Sequence, residues 1–242
     1  MKPRALVISA PGTNRDADAM FALQLAGASA SAMSIKQLIA SPNHIDNSQI
    51  IVIPGGFSYA DALGAGRLFA HDLIGVISDA LNRAIALGRP IIGICNGFQT
   101  LVRAGILPGG ADRVALGHND GGTFDCRWVR MEAVSQRCIW TRSLTSEIEC
   151  PIAHGEGKFI CEPNMYAKLV DNDQVALRYL SPNPNGSMGA VAGICDETGL
   201  VLGLMPHPEN HVLARQHPQF HRGVSGNLGL SLFAQGVAYV NN

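Results

Sequence analysis

Short apolar, β-branched runs alternate with helical patterns through the first hundred residues. Ala5 to Ser9, Ala32 to Lys36 and Gln49 to Ile53 read as strands, with Asp16 to Ala26 as a helix between the first two. A longer helical pattern from about His71 to Leu87 stops at Gly88, a residue suited to ending a helix, and Pro90 opens the next apolar run, Ile91 to Ile94. This rhythm predicts βαβ units around a parallel sheet, an α/β fold. Beyond Leu107-Pro108-Gly109-Gly110 the pattern becomes more strand-like, with Cys126 to Ala133, Ile148 to Ala153, Gln174 to Leu180, Ala190 to Cys195 and Leu200 to Leu204, before an amphipathic closing helix over Leu228 to Val240. No repeat or low-complexity linker interrupts it, so residues 1–242 are expected to form one domain.

The run Ile91-Ile92-Gly93-Ile94-Cys95-Asn96-Gly97-Phe98-Gln99 carries an apolar strand into a Gly-x-Cys-x-Gly turn and then a helical segment. Such a turn is a nucleophile elbow: glycines on both sides leave room for a tight bend that presents the middle side chain at the carboxyl edge of the sheet. The helix that follows directs its positive end at the sulfur and favours the thiolate. A cysteine nucleophile needs a base, and the base needs an orienting group. Leu204-Met205-Pro206-His207-Pro208-Glu209 offers both, because His207 follows an apolar run and residues two apart in extended chain point the same way. An oxyanion site requires backbone N–H groups. The Gly-Gly turn in Ile53-Pro54-Gly55-Gly56-Phe57 supplies Gly56, and elbow geometry supplies Asn96, the residue after the nucleophile.

Composition narrows the classes of function. A formal net charge of -1, with both signs dispersed, gives no electrostatic pull toward nucleic acid or an anionic membrane. No apolar run reaches spanning length and the start lacks a signal-peptide pattern. Six cysteines far apart, without a C-x-x-C pair, suit a reduced cytoplasmic protein. The histidines lack metal-ligand spacing, so no metal is expected. There is no P-loop lysine motif, and Gly64-Ala65-Gly66 does not follow a strand in dinucleotide-binding spacing; no cofactor is expected in this chain.

Gly93, Cys95, Gly97 and Gln99 together with His207-Pro208-Glu209 resemble the triad-type (class I) glutamine amidotransferases. Further blocks are similar to the glutaminase part of phosphoribosylformylglycinamidine synthase: Pro11 to Asn14, Pro54 to Asp61, Ala153 to Phe159, Asn183 to Ser187, Ala192 to Cys195 and Met205 to Asn210. The resemblance implies a flavodoxin-like open, mostly parallel sheet with helices on both faces. It also implies hydrolysis of L-glutamine through a cysteinyl thioester. The ammonia would pass to a separate synthetase subunit that holds ATP and magnesium and makes formylglycinamidine ribonucleotide, with a small bridging subunit completing the assembly. Gly55, Phe57, Gln99 and His154 are candidate substrate contacts, and Tyr59 and Phe98 candidate pocket walls. His211 to Gly226 is longer than the family pattern, and Arg15 and Leu63 to Gly66 depart from it. The alternatives are a glutaminase for a different amidotransferase, or a non-catalytic regulatory protein that keeps the scaffold; intact His207 and Glu209 weigh against the latter.

Overall fold

The structure, a computed structural model describing residues 1–110 and 113–241, turns the sequence rhythm into a nine-stranded sheet. In chain order the elements are β1 (Arg4–Ser9), α1 (Asp16–Leu25), β2 (Ser29–Ser34), α2 (Ile35–Ala40), α3 (Asn43–Asp46), β3 (Ile50–Ile53), α4 (Arg67–Asp72), α5 (Ser78–Ala86), β4 (Ile91–Ile94), α6 (Asn96–Arg103) and β5 (Ala115–His118). Then follow β6 (Asp125–Ala133), β7 (Ile148–His154), β8 (Glu156–Ile160), α7 (Pro163–Asp171), β9 (Val175–Tyr179), β10 (Val191–Cys195), β11 (Val201–Leu204) and α8 (Leu230–Asn241).

The sheet order is β2-β1-β3-β4-β11-β10-β9-β6-β7. Its first five strands are parallel, in the order of a flavodoxin-like fold, and the last four continue as an antiparallel extension. All four residues of β3 and of β4 are buried, which requires cover on both faces, since successive side chains point to opposite sides. α1 and α8 pack on each other, with α8 also against β3; α4 packs on α6, which lies against β3, β4 and β11. β5 and β8 form a separate two-stranded ribbon.

Several boundaries differ from the expectation, some for local and some for tertiary reasons. The second strand ends at Ser34, because the Ser34 hydroxyl accepts from the Gln37 amide while the Gln37 side chain accepts from the Ser34 amide, a capping box that starts α2. The helix placed at His71 to Leu87 begins earlier, at Arg67, and passes through a π-helical turn at Leu73–Ile77. In the glycine-rich stretch after Ala153, β7 ends at His154, the chain breaks at Gly155, and β8 pairs with β5. The long segment after His211 is tied to the antiparallel edge, where the His211 ring nitrogens lie 2.5 Å and 2.9 Å from the carbonyl oxygens of Glu149 and Ser225. Trp128 meets the rings of His211 and His217 edge-on. Among the described residues no helix is long and apolar enough to cross a membrane.

Candidate active site

The loops after β1, β3 and β4 converge at the carboxyl edge of the parallel strands. In this strand order the chain reverses direction between β1 and β3, the place where open α/β sheets form their crevice. Thr13 and Gly56 bridge the two loops, and the Phe57 amide donates to the Gly12 carbonyl.

Cys95 stands between β4 and α6 with φ 50° and ψ -105°, a conformation that costs a non-glycine residue on the order of 1–3 kcal/mol. The surroundings impose it. Its amide donates to the Leu204 carbonyl at 2.7 Å, and both flanking glycines allow backbone contacts that no other residue would permit. A Cβ on Gly97 would stand 1.9 Å from the Ile53 carbonyl oxygen, and one on Gly93 2.5 Å from Leu101. α6 begins directly after the sulfur-bearing residue, so the Asn96 amide is one of the helix's unpaired N-terminal donors. The helix ends where Gly105 turns left-handed and the Ile106 amide returns to the Leu101 carbonyl.

His207 and Glu209 are both buried, with Nδ1 2.7 Å from Oε1. The backbone places the ring: the His207 amide donates to the Pro151 carbonyl, and Pro208 opens a short 3-10 turn containing Glu209. Gly55 lies under the ring, where a Cβ would meet His207 Cε1 at 2.6 Å and the Cys95 Cβ at 3.5 Å. Burial depresses the basicity of His207, but the Glu209 carboxylate and the Cys95 sulfur outweigh it and raise the pKa to about 10. Nε2 makes no well-aligned hydrogen bond among the described residues, and Cys95 is the sulfur that acts on the ring. Glu209 Oε2 also has no hydrogen-bond partner among the described residues, so the buried carboxylate draws its compensation from the imidazolium.

A pocket of about 210 Å³ opens at Cys95. Gly56, Phe57, Asp61, Gln99, His154 and Glu156 line it, joined by His118 and Phe124, which the sequence reading missed. Phe124 stacks on Phe57 with ring centroids 6.2 Å apart. Tyr59 and Phe98 are not among the lining residues. Tyr59 donates its hydroxyl to Asp72, and Phe98 is buried in the core, where its ring fills the space over Gly203. Gln99 does line the pocket, but its amide is engaged within the protein, donating to the Glu156 carbonyl and accepting from Asn96.

Asn119, another residue without a sequence signal, fixes the state of His154. Its Nδ2 donates to the carbonyls of Thr123 and His154, so its Oδ1 is the atom that accepts from the Gly157 amide and faces His154 Nδ1 at 3.1 Å. His154 Nδ1 therefore carries the hydrogen, and Nε2 keeps a lone pair, buried and without a partner among the described residues. Burial, then the charges of His207 and Arg127, lower the pKa of His154 to about 4, so the ring is neutral near pH 7. Among the described residues no group of three or more His, Cys, Asp or Glu side chains is placed to hold a metal ion.

A model of the family described as the CobB/CobQ-like glutamine amidotransferase domain matches residues 2–240. The phosphoribosylformylglycinamidine synthase subunit PurQ of Treponema denticola is 44% identical over an alignment covering 99% of this chain and 100% of the relative. The PurQ subunit of Dehalococcoides mccartyi is 39% identical, with 90% of this chain and 89% of the relative aligned. A chain in the solved structure of PurLQS from Thermotoga maritima is 34% identical and superposes with a TM-score of 0.79 over 99% of both chains. The chain belongs to the CobB/CobQ-like glutamine amidotransferases, in the branch formed by the PurQ subunits of phosphoribosylformylglycinamidine synthase.

Proposed function

We propose that the chain is the glutaminase subunit of phosphoribosylformylglycinamidine synthase, with Cys95, His207 and Glu209 as its catalytic triad. It hydrolyses L-glutamine to glutamate and supplies ammonia to a synthetase subunit, with a small bridging subunit in the assembly. The observation that carries the residue assignment is a strained elbow cysteine at the pocket whose sulfur acts on the ring of a buried, charge-stabilised His207–Glu209 pair.

The Cys95 thiolate attacks the carboxamide carbon and the C=O electrons move onto oxygen, where the amides of Gly56 and Asn96 stabilise the charge. Collapse of the tetrahedral species breaks the C–N bond as the His207 imidazolium gives its proton to the leaving nitrogen, releasing ammonia and leaving a glutamyl thioester. The neutral ring then takes a proton from water as its oxygen attacks the thioester carbon; the C–S bond breaks, glutamate leaves, and the Cys95 thiolate and His207 imidazolium are restored. Glu209 orients the ring throughout. Gly55 leaves room for His207, Phe57 and Gln99 form walls, and His154 offers its lone pair to a substrate N–H, an acceptor that suits an amide and repels a carboxylate oxygen. No cofactor is assigned to this chain; ATP and magnesium belong to the synthetase. The continuous sheet supports one domain over residues 1–242, and the pathway chemistry a cytoplasmic location.

Cys95→Ala in the reconstituted complex is expected to abolish glutamine-dependent amidine formation while ammonia-dependent formation continues. Loss of both activities in a complex that still assembles would overturn this division of labour.

A further inference from the structure

The loop after β3 contains a turn that the mechanism above does not use. Tyr59, Ala60 and Asp61 have φ of 54°, 54° and 51°, and Leu63 has 64°; none is glycine. Three consecutive left-handed residues make a turn in which positions three apart share a side. Ser58 and Asp61 are such a pair, and both reach Asn96. The Ser58 hydroxyl donates to Asn96 Oδ1 at 2.5 Å, and Asn96 Nδ2 donates to Asp61 Oδ1 at 3.0 Å, with Gln99 Oε1 at 3.3 Å as a further acceptor. Ser58 and Asn96 are 3% and 2% exposed, so these bonds do not compete with bulk water. The turn is held from outside: the Tyr59 amide donates to the Pro11 carbonyl at 2.6 Å, its hydroxyl to Asp72, and the Gly64 amide to the Asp61 carbonyl.

We infer that Ser58 and Asp61 are positioning residues that clamp the Asn96 side chain and thereby aim the Asn96 amide at the oxyanion. This rests on the triad reading above. The amide in question belongs to the peptide that joins Asn96 to Cys95, and Cys95 occupies a conformation that would relax if the peptide could rotate. A side chain gripped at its oxygen and its nitrogen fixes the Asn96 Cα, leaving that peptide no freedom to turn. Asp61 does this from a wet pocket edge. Burial and the neighbouring Glu156 carboxylate push its pKa up, against the bonds from Asn96 and the Gly66 amide and the charge of Arg103. Its interaction with Asn96 nonetheless needs only an oxygen acceptor, which either protonation state or an amide provides.

The test is steady-state glutamine hydrolysis by the reconstituted complex carrying Asp61→Ala, Asp61→Asn or Ser58→Ala. Asp61→Ala should lower kcat roughly 100-fold, the scale of losing one oxyanion donor, with KM within about threefold of the parent. Asp61→Asn should recover at least tenfold of that loss. Alkylation of Cys95 by iodoacetamide, followed by peptide mapping, should proceed within about threefold of the parent rate in every variant, because displacement of iodide develops no oxyanion for the Asn96 amide to stabilise. A raised KM with unchanged kcat would assign Asp61 to substrate contact and overturn the clamp, as would parental kcat in both Asp61→Ala and Ser58→Ala. If Asp61→Ala does not fold, Ser58→Ala, which removes one oxygen, is judged by the same criteria. Glutamine hydrolysis surviving Cys95→Ala would sink the triad itself, whereas an inactive Cys95→Ala beside a fully active Asp61→Ala sinks only the clamp.

Discussion

His154 lines the pocket and His207 is buried beside Cys95, and the two rings are under opposite electrostatic pressures. His207 faces a carboxylate and a sulfur and holds its proton to about pH 10, whereas His154 faces an amide oxygen and the charge of His207 and stays neutral down to about pH 4. The two shifts act on stability in different windows. From pH 5 to 6.5 the unfolded chain protonates His154 and the folded chain does not, so stability rises with pH; His207 is protonated in both states there and contributes no slope. From pH 6.5 to 8 the unfolded chain loses the His207 proton and the folded chain keeps it, so stability falls. Each limb can reach about 1.4 kcal/mol per pH unit. Urea unfolding across this range should therefore show a maximum near pH 6.5, with His154→Asn flattening the acid limb and His207→Gln the alkaline one. Limbs of unchanged slope in those variants would show that these residues do not carry the shifts.

At the scale of elements, the elbow is set by how closely β3, β4 and α6 approach one another. Neither Gly93 nor Gly97 has a positive φ; each is glycine because a neighbour occupies the place of a side chain. Gly105, at the far end of α6, is the reverse case, with φ +74° and nothing among the described residues within 4 Å of its would-be Cβ. Gly97→Ala is expected to cost about 3 kcal/mol or more, since the Ile53 backbone cannot move out of the way, and Gly105→Ala about 1–2 kcal/mol for its left-handed backbone alone. Chemical denaturation of the two variants gives the comparison, and equal losses would refute the close-approach account.

For the molecule as a whole, the pocket mouth is open on the side where Phe57 and Phe124, 46% and 52% exposed, stack on each other. The same loop contains Gly56, at φ 140°, and the strained turn at Tyr59 to Asp61. A triad that ran freely would discard glutamine and lose ammonia to protonation in water. The isolated chain is therefore expected to hydrolyse glutamine about 100-fold more slowly than the complex with its synthetase and nucleotide substrates, the range set by misplacing one oxyanion donor. Turnover measured for the chain alone, for the complex and for the complex with nucleotides decides this, and equal rates in all three would exclude gating.

The parallel half of the sheet, the elbow at Cys95 and the His207–Glu209 pair were legible in the sequence because each is written in neighbouring residues: strand period, flanking glycines, a histidine and a carboxylate two residues apart, although these two meet through a 3-10 turn and not along the extended chain expected. The capping box at Ser34 is equally local and was overlooked. Tertiary structure alone decided the antiparallel extension, the pairing of β5 with β8, and the grip of Asn119 on His154 across 35 residues. It also decided which aromatics face the pocket. Phe98 and Gln99 are adjacent on α6, yet the helix turns the first into the core against Gly203 and the second toward Glu156. Residue type declares what a side chain can do. Which neighbours it meets depends on contacts between segments far apart in the chain, and those exist only once the backbone has closed around them.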